Sequence, residues 1–444
     1  MPPLPLSLLD RPLSDTDFKT YRRALSCLQG NIFKGHGRKN AVHVFLTFHK
    51  GSSEKAKRFL SRLAPTVTSE AEQREQKCRH QQGSSELFTA LYLSARGYEY
   101  LGYPQGTFSN EFWKGMRAAG LDDPPPEQWE PHYQRDIHAM VLFAHDNPTE
   151  LEKQVLQLRS QVHGFAEITC ELGGRIGLPK KAVEHFGYRD GISQPLFYRS
   201  DVNGNPQNWN PGAGPKLALI QDPHGLSGDD CGTYLVFRKL EQNVRSFCQH
   251  TQGAAAELAG AMVIGRFRDG TPVALHEQPQ PQQEPENDFR YSRIDPKGNR
   301  CPFSAHIRKT NPRGGSGLPF AQERMRRIAR RGIPYGDPIP ANGDPDTLPV
   351  TGVGLLFQCC QADLANQFEF LQRSWASKAD FPPSQKSGID PLIGQPANGA
   401  VRRLEFPEPW GKNTRAPFSF HSFVTMKGGE YFFAPSISFL RSLA

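Results

Sequence analysis

The same order of secondary structure, a strand followed by a helix, is predicted twice in the first half of this chain. The alternating apolar segments HVFLTF (43–48) and HAMVLFA (138–144) predict strands. The helix after the second strand begins at Asn147, an N-cap residue followed by Pro148. The two helices have apolar stripes formed by Ala56, Phe59, Leu60 and Leu63, and by Leu151, Val155, Leu158 and Val162. Such a chain folds as a sheet covered by helices.

The second half repeats this order. TYLVF (233–237) predicts a strand, and a helix follows from about Asn243. GVGLLFQCC (352–360) predicts another strand, and the helix after it has Leu364, Phe368, Leu371 and Trp375 on one side. The predicted fold class is therefore α+β, with two ferredoxin-like halves, each an antiparallel sheet with helices.

The boundary between the halves and the C-terminus are predicted from turn-forming residues. NGNPQNWNPGAGP (203–215) is rich in Pro, Gly and Asn, so the halves are expected to span residues 1–215 and 216–444. Near the end of the chain, Gly428 and Gly429 separate FSFHSFVT from EYFFAPS. This pattern predicts a terminal hairpin.

Composition and charge exclude several classes of protein. The formal net charge is +8, and RMRRIARR (324–331) is the densest basic run. Such runs are usually solvated helix faces, and no aromatic platform accompanies this one, so nucleic-acid binding is not expected. No apolar run approaches the ~20 residues of a membrane span. The N-terminal segment lacks the pattern of a signal peptide, which favours the cytoplasm, although the mature form of a secreted protein would look the same.

The eight Cys form no CxxC pair, so free thiols are expected rather than zinc.

The segment FGYRDGISQP (186–195) places Asp190 between Gly187 and Gly191. Taken alone, Asp-Gly marks a turn more often than a catalytic acid. Glycines beside a carboxylate also let the backbone approach a bulky flat ligand. The segment is therefore either a turn or one wall of a site.

The segment DPKGNRCPFSAHIRKTNPRG (295–314) places His306 between Ala305 and Ile307, with Arg308 two residues further on. A histidine in this setting is either a core residue or a metal ligand. The second interpretation has chemical sense, because haem iron is commonly held by a neutral histidine and arginine binds carboxylates such as haem propionates.

Together with LQGNIFKGHGR (28–38), RIARRGIPYG (327–336), GLLFQCCQADLANQFEFLQRSW (354–375) and FVTMKGGEYFFAPSISFL (423–440), these segments resemble the dye-decolorising peroxidases, specifically the larger members. GYRDG has the form of that family's Gly-x-x-Asp-Gly signature. The resemblance implies a dimeric α+β barrel type of fold with haem b in the second half.

The resemblance also implies a role for each matching residue. His306 corresponds to the iron ligand, Arg308 to a propionate-binding residue and Asp190 to the carboxylate that handles hydrogen peroxide. The arginine that acts with Asp190 is Arg330 or Arg331, and Arg330 fits the motif better. Leu355 and Phe357 are expected to wall the peroxide side, and Asp390, in GIDPLIG, to lie behind the iron-binding histidine.

The implied reaction is reduction of hydrogen peroxide, followed by oxidation of dyes or phenols as one-electron donors. Bulky dyes are expected to give up electrons at the surface, with Tyr335 or Trp375 as the relay. Both residues are more often packing groups. A non-enzymatic haem carrier or iron-releasing protein of the same fold is the alternative function. No membrane partner is expected, and the oligomeric state stays open.

Overall fold

We describe the fold from a computed structural model, which describes residues 5–80, 85–179, 181–205, 209–251, 256–339, 345–383, 387–395 and 402–444. The strands are β1 (Asn40–Phe48), β2 (Phe88–Ser94), β3 (Ala139–His145), β4 (Ala166–Gly174), β5 (Ile220–Gln221), β6 (Cys231–Gln242), β7 (Ala329–Arg330), β8 (Ile333–Tyr335), β9 (Gly354–Gln361), β10 (Arg402–Pro407), β11 (Arg415–Phe420) and β12 (Val424–Ala434).

The α-helices are α1 (Asp15–Thr20), α2 (Arg22–Cys27), α3 (Ser53–Leu63), α4 (Glu70–His80), α5 (Ala95–Tyr100), α6 (Asn110–Lys114), α7 (Pro148–Val162), α8 (Arg199–Asn203), α9 (Val244–His250), α10 (Ala256–Ile264), α11 (Tyr291–Ile294), α12 (His306–Thr310), α13 (Phe320–Met325), α14 (Phe368–Phe370) and α15 (Ile437–Arg441). A π-helix, Leu371–Ala376, continues α14. Short 3₁₀ turns are Leu6–Leu8, Ala64–Thr66, Met116–Ala118, Pro126–Gln128, Pro131–Gln134, Pro215–Leu217 and Pro345–Thr347.

Both halves have the ferredoxin-like strand order. The main sheet runs β4-β1-β3-β2-β12-β6-β9-β7, with β5 added to β6 and β8 to β9. In the first half this order is 4-1-3-2. In the second half β6 is the first strand, β7 and β8 together are the second, β9 is the third and β12 is the fourth, so the order is again 4-1-3-2. The sheets join where β12 pairs with β2, and every strand pair in the described residues is antiparallel. At the far ends β4 packs on β8, where Gly173 faces the side chain of Ile333. The predicted α+β fold is confirmed.

The strand–helix pairs of the sequence pattern are present, and their apolar faces form the core. In α3 the buried residues are Ala56, Phe59 and Leu60, and in α7 they are Leu151, Leu158 and Val162. The side chain of Asn147 caps α7 by accepting a hydrogen bond from the amide of Thr149. One boundary differs, since the helix predicted from Leu364 begins only at Phe368 and becomes a π-helix.

The predicted terminal hairpin is wrong. β12 runs through Gly428 and Gly429 as one strand paired with β6, with a bulge between Met426 and Gly428. The two glycines allow close packing and do not form a turn. A Cβ on Gly428 would lie 2.2 Å from the ring of Tyr133, and a Cβ on Gly429 would lie 2.3 Å from the carbonyl oxygen of Phe237. The segment before β12 instead forms the separate β10–β11 pair.

The basic run RMRRIARR is not a solvated helix face. The helix α13 ends at Met325, and the chain then enters the extended strand β7. Arg330 and Arg331 both have polar contacts with other parts of the fold. The described cysteines, all residues of that type except Cys78, are free thiols, as expected.

Candidate active site

A large cavity lies on the face of β9 that points away from the interior of the barrel, between that strand, α12 and the π-helix. It encloses about 2180 Å³ of space, including its solvent-filled mouth. Its apolar lining includes Ile264, Ile307, Leu355, Phe357, Phe368, Leu371, Trp375, Leu392, Val424 and Met426. The predicted site residues Asp190, His306 and Arg330 all lie in this lining. The fold therefore brings together residues that are far apart in the sequence.

The alternation of side chains along β9 decides which residues face the cavity. Leu355 and Phe357 line it, whereas Leu356 between them is buried on the other face. Cys359 lies two residues beyond Phe357 and therefore points to the same face of β9. Arg330 lies directly opposite Cys359 in the antiparallel pair, and directly opposed residues share a face. The register of β7 on β9 therefore turns Arg330 towards the cavity.

Arg331 points the other way. Its guanidinium donates to the backbone carbonyls of Asn31 and Ile32 at 2.9 and 2.5 Å, and to that of Arg330. Burial lowers the pKa of Arg331. Of the two arginines that the motif left open, Arg330 is the one in the cavity.

Asp190 and Arg330 form an ion pair inside the cavity. Nη1 of Arg330 donates to Oδ1 of Asp190 at 2.6 Å, and the amide of Gly191 donates to the same oxygen at 2.6 Å. The Asp190 side chain is 36% exposed, and this exposure is towards the cavity. Burial raises the pKa of the carboxyl, but the charge of Arg330 and the Gly191 amide outweigh this, so the pKa lies below its usual value. The result is an ionised carboxylate that a small polar ligand can reach.

The GYRDG backbone explains its glycines. Gly187 and Gly191 have φ angles of +90° and +81°, a region in which only glycine is unstrained. A Cβ on Gly191 would meet no atom within 4 Å. Here the glycines are required by backbone conformation, and the turn they form is what presents Asp190.

His306 and Asp390 form a second pair on the opposite side. Nδ1 of His306 and Oδ2 of Asp390 are 2.8 Å apart, and the Asp390 side chain is fully buried. Its other oxygen accepts hydrogen bonds from the amides of Leu392 and Ile393. Burial raises the pKa of Asp390, but His306 and these amides lower it further, so the carboxyl has a pKa below its usual value. A carboxylate here places the imidazole proton on Nδ1 and leaves Nε2 for a metal in the cavity.

Arg308 does not reach the cavity. Its guanidinium is buried and donates to the carboxylate of Asp295 at 2.8 Å and to the backbone carbonyls of Asp295 and Cys301. It lies on the side of α12 away from the lining, where these contacts engage its guanidinium.

Arg327 is an arginine of the lining that the motif analysis missed. It donates only to backbone carbonyls, those of Asn210, Gly212 and Arg324. Burial lowers its pKa to about 10, and the neighbouring Arg324 contributes. Within the described residues no carboxylate pairs with Arg327. No sequence pattern singles it out, because Arg327 lies within a basic run and in a segment without regular secondary structure.

The two candidate relay residues are both buried. Tyr335 is 7% exposed and Trp375 is 3% exposed, so neither is itself a surface residue, contrary to expectation. Trp375 lines the cavity and stacks on Phe381 at 5.0 Å, whereas Tyr335 lies beside Lys239, whose Nζ is 5.0 Å from the centre of the ring.

A histidine backed by a carboxylate, facing an apolar cavity with an ion pair on the far side, defines a cofactor-dependent oxidoreductase site more readily than a binding module. Comparison with known proteins agrees. Residues 28–176 match the model of the DyP dimeric alpha+beta barrel domain, and residues 200–382 match that of the Dyp-type peroxidase C-terminal domain.

Similar proteins cover almost the whole chain. The multifunctional dye peroxidase DyP2 of Amycolatopsis sp. is 38% identical over 94% of this chain and 95% of its own length. The crystal structure of a DyP-type peroxidase of Anabaena sp. superposes with a TM-score of 0.90 at 39% identity, covering 98% of this chain and 97% of that one. A fungal DyP-type peroxidase of Auricularia auricula-judae gives 0.79 at 26% identity, covering 94% and 98%.

The chain belongs to the DyP-type peroxidase family and is a haem-dependent peroxidase. None of the helices in the described part of the chain has the length and apolar character needed to cross a membrane.

Proposed function

We propose that the cavity binds haem b, with Nε2 of His306 as the protein ligand of the iron. The cavity suits this group in two respects. Its walls are apolar, including Leu355 and Phe357, as a porphyrin requires. One imidazole faces it with Nδ1 already engaged by Asp390. When bound, haem would supply the redox chemistry, a two-electron oxidation by hydrogen peroxide that is reversed by two one-electron donors.

The cationic side chains of the lining would hold the propionates. Arg327 is half-buried and has no carboxylate partner among the described residues, and such a group favours an anionic ligand. Arg308, expected in this role from the motif, is engaged with Asp295 instead. We therefore assign a propionate to Arg327 and assign Arg308 to the support of α12.

Asp190 and Arg330 would act on hydrogen peroxide. The ionised carboxylate of Asp190 would accept the proton from one peroxide oxygen and return it to the other as the O–O bond breaks, so that the second oxygen leaves as water; bound haem would supply the two electrons that this cleavage requires. Its contact with Arg330, 2.6 Å long, keeps a positive charge beside the oxygen on which negative charge develops. The pair is the observation that carries the proposal, because a haem carrier needs the histidine but neither of these residues.

Asp390 would orient the imidazole of His306 through the hydrogen bond to Nδ1. Its two amide hydrogen bonds fix the carboxylate, and the carboxylate fixes His306 and increases its electron donation to a bound metal. The donors oxidised at the site would be dyes, phenols and similar aromatic compounds. We also propose a division of the chain near residue 215, so that the second half carries His306 and Arg330 while the first contributes Asp190.

The test is a comparison of haem binding and peroxide turnover. After haem supplementation, the purified chain should show a Soret band and oxidise a dye with hydrogen peroxide. His306→Ala should lose haem or change its spectrum. Asp190→Asn should keep haem and lose turnover. A carrier protein would bind haem equally well in the wild type and the Asp190 variant, but neither would turn over peroxide.

A further inference from the structure

We propose that Trp209, Phe320 and Arg290 form a docking platform at the rim of the cavity for aromatic donors that carry a negative charge. This inference rests on the proposed peroxidase function, since it assigns the donor to a place on the same cavity. Trp209 and Phe320 both belong to the cavity lining, and Phe320 is 44% exposed. An exposed phenylalanine beside a partly exposed tryptophan marks a surface for an aromatic ligand.

The three side chains form one cluster. The ring centres of Trp209 and Phe320 are 5.7 Å apart, and the planes of the rings are inclined at 63° in an edge arrangement. The guanidinium of Arg290 lies over both rings, 4.3 Å from the centre of Trp209 and 5.9 Å from that of Phe320, and Arg324 approaches Phe320 from another direction at 5.8 Å. Cations in these positions fix the rings and provide charge at their edge.

The backbone beneath the platform is held from several sides. The amide of Trp209 donates to the carbonyl of Asn287 at 2.8 Å. The side chain of Asn287 donates to the carbonyl of Ile192, two residues from Asp190, and accepts from Arg266 at 2.7 Å. These bonds connect the platform to the loop that carries the peroxide-handling carboxylate. A docked donor would therefore sit on a fixed surface beside the reaction site.

The guanidinium of Arg290 is not engaged in an ion pair in the part of the chain that the structure describes, although the side chain is exposed. The nearby Arg324 donates to a backbone carbonyl, that of Gly212. Cationic groups stacked on aromatic rings select a ligand with an aromatic body and an anionic substituent, such as a sulfonate or carboxylate. A cationic donor of the same shape would be repelled.

Binding of a donor analogue without peroxide tests this directly. Isothermal titration of the haem-loaded protein with naphthalene-2-sulfonate should give saturable binding that weakens as salt rises, because the site is exposed. Arg290→Gln should raise the dissociation constant by about two- to five-fold, the range for an exposed cation–π contact. Phe320→Leu and Trp209→Leu should weaken binding by a similar factor. Trimethyl(2-naphthyl)ammonium should bind more weakly than the sulfonate.

Arg135→Gln is the matched control. It also removes one exposed arginine, whose side chain is 67% exposed, so it reproduces the change in net charge. Equal sulfonate affinities in the wild type, the Arg290 variant and the Arg135 variant would overturn the platform, as would tighter binding of the ammonium compound. Haem content and circular dichroism show whether each variant is folded. Failure of peroxide turnover together with the expected binding pattern would contradict the proposed function and leave the platform standing.

Discussion

The two halves of the molecule share a strand order but differ where the second strand lies. In the first half this strand is β2, seven residues long and wholly buried. In the second half it is divided into β7 and β8, of two and three residues. The first half also covers its sheet with the long helices α3 and α7, of 11 and 15 residues. The matching positions of the second half hold the short α9 and the α14–π-helix segment.

The proposed site lies where the second half departs from the first. Arg330 is on the divided strand, His306 is in the long connection between α9 and β7, and Asp390 is in the connection between the π-helix and β12. The shared topology supplies the sheet, and the irregular connections supply the chemistry. If this division is correct, substitutions in these connections should remove activity without unfolding the protein.

The largest effect is expected from the Asp190–Arg330 pair. Asp190→Asn and Arg330→Leu should each slow the reaction with peroxide by about 10²- to 10³-fold, because one removes the proton acceptor and the other the positive charge. Both variants should keep haem. Stopped-flow mixing with hydrogen peroxide measures the rate, and the Soret absorbance measures the haem.

Arg331→Leu separates this effect from general damage. Arg331 points away from the cavity and donates hydrogen bonds to the carbonyls of Asn31 and Ile32. Its loss should therefore mainly lower the melting temperature, with little effect on the rate of the peroxide reaction. If Arg331→Leu slows the reaction and Arg330→Leu does not, the residue assignment in RRGIPYG is wrong.

Asp390→Asn should have the next largest effect. Loss of a carboxylate behind a metal-bound histidine typically costs ~10- to 100-fold in metal affinity or activity. Because Asp390 is fully buried, Asn is the substitution of least change in volume. We expect weaker haem retention and a higher iron reduction potential, measured by haem transfer to apomyoglobin and by spectroelectrochemistry. An unchanged potential would show that Asp390 only positions the loop.

The sequence predicts the elements of the fold well, because buried apolar stripes such as that of α7 dominate the local energetics. It predicts the C-terminal strand β12 less well. Gly-Gly is a turn signal, but at Gly428 and Gly429 it serves the approach of Tyr133 and Phe237, which are far away in sequence. Only the packed structure contains that contact.

The candidate site was predicted mainly through the family's motifs. Residue types alone left Asp190 open between a turn and a site residue and His306 open between a core residue and a metal ligand, because a pair such as His306–Asp390 spans 84 positions. The sequence did not indicate the contact of Arg308 with Asp295, whose carboxylate engages the guanidinium. Arg327 was missed because a basic run is usually solvated, whereas here the chain is extended and folds back on the cavity.

A smaller effect is expected from the candidate relay residues. Trp375 lines the cavity and Tyr335 is buried near Lys239, so electron transfer would have to continue beyond them to reach a bulky donor. Trp375→Phe should lower turnover of a bulky dye by a few-fold and leave that of a small phenol nearly unchanged, measured as kcat/KM for each donor. Tyr335→Phe is the companion variant. Equal effects on both donors would indicate a packing role.

The smallest effect concerns pH. A free aspartic acid has a pKa of about 3.9, and catalysis by Asp190 requires its ionised form. Burial raises the pKa of Asp190, but Arg330 and the Gly191 amide lower it further, so the net shift is downwards. The rate of the peroxide reaction should therefore fall only below about pH 4 and change by less than about two-fold between pH 5 and 7.

Dye oxidation, which also consumes protons, should be fastest on the acidic side, at about pH 4–5. Removal of the positive charge in Arg330→Leu takes away the largest influence that lowers the pKa of Asp190 and leaves the Gly191 amide to oppose burial, so the acid limb should move to higher pH. Asp190→Asn should abolish the limb. Stopped-flow rates from pH 3 to 7 distinguish these cases, and an acid limb that persists in the Asn variant would assign the titration, and the role of proton acceptor, to another group.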